Sequence, residues 1–402
     1  MEISHFMHTI LITQNTPYKE NFRGATALPY HILYGRDKKM DVTIYSFNLN
    51  QLPEEKIREV EEKLKVKIHL IEGPKWIARV LKWHLSFLRI FMKYPIYCYF
   101  KMKDVLVEEI KKQKPDCIWI YGEELMKVAC QFKGYKRIHT FPDCESMYYH
   151  RMLGRRFVFS AKSSYWRNAI MYPKYLEMEQ DMDPEVKCHL VGEEDARFLK
   201  NVNPALDARF IRHPHYEIAE PMKEVGFGAT KIRLLVAGRY DYYMKEKADE
   251  MVEALAQAQQ FTLRENFLLT FLGKGWEGHV KTLREAGYEV EHIVFAPDYV
   301  EEVRKHDIQI TPIAIGTGTK GKVLDAIANG LLVIGTNYAL ENIAVEDGVS
   351  CLQYDTQEEL LAMLTDIPMN RGRYEEMAER GRQTVLREHD REKVAKEVFE
   401  LI

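Results

Sequence analysis

The chain has 402 residues, long enough for two or three domains with cores of ordinary size. A formal net charge of −3 offers no bulk basicity for nucleic acid, and the six cysteines (Cys98, Cys117, Cys130, Cys144, Cys188, Cys351) make no CxxC pair and no dense framework, as expected of reduced thiols in a cytosolic compartment. No apolar run reaches the roughly 18 residues of a spanning helix, and MEISHFMHTILITQNTP lacks a basic region followed by a long apolar run, so it reads as neither signal peptide nor anchor.

The first half alternates strand and helix. His8 to Thr13 reads as a buried strand, followed by a loop from Gln14 to Arg23 and a helix from about Gly24 to Lys38. Ligands gather at the carboxyl ends of strands in doubly wound sheets, so Asn15, Arg23 and Gly24 are candidate contacts, beside the plainer reading of a surface loop. Strands follow at Asp41 to Phe47 and Val66 to Ile71, with a charged helix, Pro53 to Leu64, between them.

From Gly73 to Lys103 there are seven Lys/Arg residues and no Asp or Glu. At about 100° per residue, Lys75, Arg79, Lys82, Arg89 and Lys93 share one stripe of a helix. Trp76, Val80, Trp83, Phe87, Ile90 and Phe91 share the adjoining apolar face. Two readings stay open: a helix lying in an anionic membrane interface, or a core helix whose basic stripe faces water.

A helix, Met102 to Lys114, stops before Pro115, and strands are expected at Asp116 to Tyr121 and Arg137 to Phe141, with a helix from Glu124 to Phe132 between them. FPDCESMYYHRMLGRR then places Asp143, Ser146 and Arg151 just past a strand end. Asp143 there can orient a hydroxyl or act as a base, or it can cap a helix, with Ser146 a second cap candidate. Further on come a helix at Ser164 to Asp181, a strand at Cys188 to Val191, a helix at Glu193 to Leu199 and a short strand and loop, FIRHPHY. His213 and His215 have no companion ligands, so a hinge is the better reading than a metal site. Glu217 to Thr230, with Pro221, Gly226 and Gly228, loses periodicity and reads as the linker.

The pattern then restarts. Ile232 to Ala237 is a strand, followed by Gly238-Arg239 and, six residues on, Lys245. Helices are expected at Lys247 to Gln259, His279 to Ala286 and Tyr299 to His306, the last capped by Asp298, with strands at Phe267 to Leu272 and Val290 to Phe295. Ile308 to Ile315 is a buried strand running into Gly316-Thr317-Gly318-Thr319-Lys320-Gly321. Val323 to Ala328 is a helix stopped at Gly330, and Leu331 to Gly335 a strand. This turn is an anion site by its chemistry: glycines admit close backbone approach, a helix start offers unpaired N–H groups, and Lys320 and Lys322 add charge. It has the spacing of neither a Walker loop nor the dinucleotide fingerprint. A last strand, Cys351 to Tyr354, and helices at Thr356 to Leu364 and Tyr374 to Phe399 close the chain.

GTGTKGKVLDAIANGLLVIGTNYALENI, continuing through Asp347-Gly348, resembles the donor-binding segment of GT-B fold glycosyltransferases of the group-1 (family 4-like) class. Their loop precedes a helix reading roughly K-V-L-E-A-M-A-x-G-x-P-V-V-x-T. The likeness is firm over Ile232 to Leu364 and loose over the N-terminal half. It implies an α/β GT-B fold with two Rossmann-like domains, parallel sheets facing across a cleft. The acceptor-binding domain would span 1–218, the linker 219–230 and the nucleotide-sugar domain 231–372, and a helix in 373–402 would cross back to the first domain.

By the same resemblance Asp325 holds the ribose, Gly316, Thr317, Gly318, Thr319 and Lys320 hold the diphosphate, and Gly238, Arg239 and Lys245 assist. Backbone near Val290 to Phe295 reads the base, and Asn337 to Ile343 approaches the donor sugar. Asp143, Arg239 and Lys320 are the catalytic candidates, and Asn15, Arg23, Gly24, Ser146 and Arg151 face the acceptor. Thr317 stands where many members carry a second glutamate, so the carboxylate pair of those members is absent. The implied reaction moves a sugar from a nucleotide diphosphate sugar to a hydroxyl of a glycan or lipid-linked acceptor, with retention, in cell-surface polysaccharide biosynthesis. It uses no metal and no cofactor beyond its co-substrate. The expected place is the cytoplasm, with peripheral contact at the inner face of the membrane through residues 73–103. Two alternatives remain open on the same fold: a nucleotide-sugar epimerase and a non-catalytic nucleotide-sugar binding protein.

Overall fold

The computed structural model describes residues 7–83, 86–154 and 162–401. Met1 to Phe6, and Arg155 and Arg156 of the segment after Phe141, lie outside them. The chain divides into two compact units, Met1–Pro214 with Arg391–Ile402, and His215–Asp390.

The first unit is built on a seven-stranded sheet in the order β3-β2-β1-β4-β5-β6-β7. Its strands are β1 Met7–Thr13, β2 Met40–Ser46, β3 Lys67–Leu70, β4 Cys117–Tyr121, β5 Arg137–Phe141, β6 Lys187–Leu190 and β7 Asp207–Phe210, each pair parallel. The central strands are apolar on both faces. Ile10 and Ile12 join one core with Ile118 and Ile120, while Leu11 joins the opposite core with Val42, Ile44 and Trp119. A parallel sheet covered on both sides requires this near-continuous apolar run. Its topological switch lies between β1 and β4, whose following loops flank one crevice.

The second unit repeats the plan with six parallel strands in the order β10-β9-β8-β11-β12-β13. These are β8 Ile232–Ala237, β9 Phe267–Leu272, β10 Glu289–Ile293, β11 Ile308–Thr311, β12 Leu332–Gly335 and β13 Leu352–Gln353. Ile232, Leu234 and Val236 face one core and Leu235 and Ala237 the other. Its switch point falls between β8 and β11, which places the loops after Ala237 and Thr311 side by side.

Several boundaries differ from expectation. The first helix begins at Ala27, not Gly24, because Asn21 Oδ1 accepts from the N–H groups of Thr26 and Ala27 and holds the preceding residues in a loop. The basic aromatic stretch is not one helix: Lys75–Lys82 is α-helical, and tighter turns follow at Ser86–Phe91 and Ile96–Tyr99, with Pro95 unable to donate to a continuing helix. The strand expected in FIRHPHY lies earlier, because β7 reaches Phe210 where its pairing to Leu190 ends. A helix at Phe261–Asn266 was not anticipated.

The terminal helix is two helices. Arg371–Glu388 stays with the second unit, and only Arg391–Phe399 belongs to the first. There it lies against the helix Ala27–Gly35, so close that a Cβ on Gly35 would sit 2.1 Å from the Arg391 carbonyl oxygen. The residues expected as a linker are pinned to the second unit. Lys223 Nζ bonds Asp307 Oδ1 at 3.1 Å, and the Phe227 N–H donates to Glu375 Oε1 at 2.8 Å. The division of the chain falls at Pro214 and His215 instead.

Candidate functional site

The glycine turn of the second unit joins β11 to the helix Gly321–Ala328, with Lys320 at the cap position. Lys320 Nζ donates to the carbonyl oxygens of Thr317 (2.7 Å) and Gly318 (2.9 Å), and Asn342 Nδ2 donates to Gly318 O (3.0 Å). The Thr336 hydroxyl donates to the Ile313 carbonyl at 2.6 Å. The turn is therefore shaped by side chains from three segments. Gly318 has φ +60°, a conformation open to glycine at no steric cost. A Cβ on Gly316 would meet Lys320 Cε at 2.7 Å, so this position must stay bare for the lysine to fold over it.

The loop after β8 lies alongside, as the switch point requires. The Tyr243 carbonyl accepts from the N–H of Ala314 at 2.7 Å and ties the two loops together. Gly238 has φ +139°, and its carbonyl accepts from Trp276 Nε1 at 2.8 Å. The neighbouring turn comes close enough that a Cβ on Gly273 would sit 2.2 Å from that same oxygen. Arg239 and Lys245 are exposed on this loop and at the first position of the helix Lys245–Gln257. Arg239 acts electrostatically on Asp241, whose carboxyl is raised chiefly by burial and lowered in part by that guanidinium.

Asp325 is buried one turn into the helix Gly321–Ala328. Its charge raises the Tyr299 hydroxyl further above its ordinary range, on top of the larger effect of burial. Lys322 Nζ stands 3.9 Å from the centre of the Tyr299 ring. Gly238, Arg239, Lys245, residues 316–320 and Asp325 thus all belong to two tied loops and one helix start. The arrangement offers helix N–H groups, three lysines or arginines and a carboxylate, a set suited to a phosphate ester carrying hydroxyls.

In the first unit, Asn15, Arg23 and Gly24 share the loop after β1. Gly24 lies against the Asn15 side chain, and Arg23, at φ +55°, donates to Gln51 Oε1 at 3.3 Å on the surface. Asp143 is part-buried two residues past β5, and Arg151 lies part-buried on the helix Glu145–Gly154. Ser146 does not face outward. It is fully buried, its N–H donates to Glu179 Oε1 at 3.0 Å, and its hydroxyl donates to Glu179 Oε2, so its bonding capacity serves that carboxyl. His213 is also enclosed, with Nδ1 donating to the Pro214 carbonyl at 2.7 Å and its pKa pushed down to about 4 by burial. Among the described residues no group of three or more His, Cys, Asp or Glu is arranged to hold a metal ion.

Sequence reasoning missed a cluster of carboxyls beside Asp143. Glu123 and Glu124 follow β4, Glu145 opens the next helix and Glu179 comes from the helix Lys162–Gln180. Gln14 Nε2 and the Tyr175 hydroxyl donate to Glu124 at 3.0 and 2.9 Å, and the Glu145 N–H donates to Glu123 at 3.3 Å. Burial first, and the neighbouring carboxylates second, hold Glu123 well above the usual range; burial and Asp143 push Glu145 up to about 8. The Gln14 bond places this cluster at the switch point of the first sheet. Two consecutive acids one glycine past a buried strand, Glu123-Glu124, were the signal available in the sequence.

Residues 239–400 match the family model described as glycosyl transferase-like. No curated protein matches the chain. Among solved structures, Anabaena HepE in complex with UDP is 11% identical, with 98% of each chain covered and a TM-score of 0.64. A glycosyltransferase from Rickettsia africae is 14% identical over 99% of this chain and 98% of that one, with a TM-score of 0.61. WaaG, a glycosyltransferase involved in lipopolysaccharide biosynthesis, is 15% identical over 98% and 99%, also at 0.61.

Proposed function

We propose that this chain, which has the GT-B fold and a glycosyl transferase-like segment over residues 239–400, transfers a glycosyl group from a nucleotide diphosphate sugar to a hydroxyl of a glycan or lipid-linked acceptor. The observation that carries this reading is the tie between the Gly238–Lys245 loop and the glycine turn through the Tyr243 carbonyl, at the switch point of the second sheet. HepE, with the same fold, has been solved with UDP-glucose, which supports a donor of that class.

Departure of a nucleoside diphosphate builds negative charge, and fixed cations and N–H groups aimed at that charge lower the barrier. Arg239 and Lys320 take that part in our reading, with Lys245, Gly238 and residues 316–319 completing the diphosphate cradle. Asp325 accepts from the ribose hydroxyls. Asp143, set among carboxyls that favour protonation, orients or deprotonates the acceptor hydroxyl. Asn15, Arg23, Gly24 and Arg151 contact the acceptor, and Ser146 acts through Glu179. Retention of configuration, independence from metal, a cytoplasmic setting and a role in cell-surface polysaccharide synthesis belong to the same proposal.

The test is thermal unfolding against a panel of nucleoside diphosphates and nucleotide sugars, with Lys320→Ala and Asp325→Ala alongside. A ligand bound only by the native state raises the midpoint by mass action. A rise with one base, lost in both variants, is expected. No rise with any of them at saturating concentration sinks the donor assignment.

A further inference from the structure

The stretch between Gly73 and Lys103 has no part in the donor site, and its structure differs from the uniform amphipathic helix its sequence suggests. Of the five bases of the predicted stripe, Lys93 has its Nζ 2.6 Å from Asp181 Oδ2, and Arg89 is half-buried. Lys75, Arg79 and Lys82 are exposed. Beside them the apolar face is turned outward. Trp83 is 64% exposed and Phe91 83%, Phe87 and Ile90 are more than half exposed, and Trp76 nearly so.

This exposure comes from a segment tied firmly to its unit. Ile77 is buried in the core. The Tyr94 hydroxyl donates to Asp181 at 2.5 Å, Lys174 Nζ donates to the carbonyls of Ile90 and Met92, and Lys127 Nζ stands 3.9 Å from the centre of the Tyr99 ring. The backbone is pinned from inside while five large apolar side chains on either side of residues 84–85 project into water. An exposed apolar group of this size marks an interaction surface.

We infer that the face formed by Lys75, Trp76, Arg79, Lys82, Trp83, Phe87, Ile90 and Phe91 docks on an anionic lipid bilayer. Its charge decides the occupant. No acid occurs between Gly73 and Lys103; Glu72 and Asp104 flank the stretch, and Glu72 is taken by Lys103 at 3.1 Å. Tryptophan and phenylalanine settle at the boundary between headgroups and acyl chains, and lysine and arginine beside them meet the anionic headgroups. The proposal does not depend on the donor reading, since neither the face nor its test involves the second unit.

The test is co-sedimentation of the full chain with vesicles of pure phosphatidylcholine and of phosphatidylcholine with about a third phosphatidylglycerol. Binding to the anionic vesicles is expected to exceed that to neutral ones by roughly tenfold, and to fall in high salt. Lys75→Glu/Arg79→Glu/Lys82→Glu should erase the preference for anionic lipid. Phe87→Glu/Phe91→Glu should abolish pelleting altogether. These side chains are exposed, so both variants should melt as the parent does. No pelleting by the parent, or pelleting unchanged in both variants, overturns the proposal. So does concentration-dependent dimerisation in ultracentrifugation that Phe91→Glu removes while the parent ignores vesicles, because the face would then join two copies of the chain.

Discussion

Lys320 Nζ lies 2.7 Å from the carbonyl oxygen of Thr317, three residues back in the chain. With its bond to Gly318 O, the ammonium neutralises the carbonyl side of the glycine turn and keeps it folded. A diphosphate entering the turn would compete for the same cation. Lys320→Ala removes both roles. We expect it to cost about 1–2 kcal/mol of stability in the second unit and to weaken nucleotide binding by about 10- to 100-fold. Calorimetric titration with the nucleoside diphosphate that shifts the parent's melting point checks this. Unchanged affinity in a well-folded variant refutes it.

Gly316→Ala tests the same relationship without touching a charge. The added Cβ would stand 2.7 Å from Lys320 Cε and 3.1 Å from Nζ, so the lysine must swing away from its carbonyls. The variant should lose nucleotide affinity in the direction of Lys320→Ala. The double variant should be no worse than Lys320→Ala alone, because the two changes disable one contact. Additive losses would show that Gly316 serves the ligand directly.

Asp325 is buried, so its replacement must be read against stability. Asp325→Asn keeps the shape and removes the charge. We expect the melting midpoint to stay within about 3 °C and affinity for the ribonucleotide to fall about tenfold or more. Affinity for the 2′,3′-dideoxy form should barely change, since it has no hydroxyls to donate. Equal losses for both nucleotides would remove the ribose assignment.

Arg239 is exposed, and its guanidinium partly offsets the rise that burial gives the Asp241 carboxyl. Arg239→Ala should leave the melting point of the free protein unchanged. It should lower kcat of sugar release by about 10- to 1000-fold with a smaller change in KM, because charge develops on the leaving diphosphate only as the bond breaks. A change confined to KM would mark Arg239 as a ground-state contact only.

The carboxyl cluster predicts the pH dependence of the first unit. Burial raises Glu123, Glu124 and Glu179 above the ordinary carboxyl range and Glu145 to about 8. Such groups bind more protons folded than unfolded. Their penalty is absent below about pH 4.5 and grows as pH rises through the folded values. His139 and His189 act oppositely: burial lowers each to about 4, so stability is lost as pH falls below about 6.5. Above pH 6.5 the carboxyl effect leads, with the buried thiols of Cys117 and Cys188, raised to about 12, adding to it as pH nears 9, and the melting point should drop by on the order of 5 °C between pH 6.5 and 8.5. Glu145→Gln should flatten that limb in a pH series of thermal melts. An unchanged slope would remove Glu145 from the account.

Much of the architecture was legible because buried parallel strands announce themselves. Runs such as Ile10–Ile12, Ile118–Tyr121 and Leu331–Ile334 are apolar on both faces, and only a sheet covered on both sides buries them. Boundaries were less legible where one hydrogen bond decides them. Asn21 delays the first helix to Ala27, and the break at His389–Asp390 divides what reads as one charged helix. The carboxyl cluster was invisible for a different reason. Glu179 meets Ser146 across 33 residues, and Gln14 meets Glu124 across 110. No local pattern encodes a contact of that span.

The sequence by itself determined two parallel α/β units and a glycine turn with a cation at a helix start, because periodicity, glycine and helix-cap chemistry are local properties of the chain. Tertiary structure alone decided that the Gly238–Lys245 loop lies beside that turn, that Ser146 turns inward to Glu179, and that Arg89 and Lys93 leave the basic stripe while Trp83 and Phe91 stay in water. Those outcomes follow from strand order and from which distant side chain fills each space, and both are set only when the sheets close.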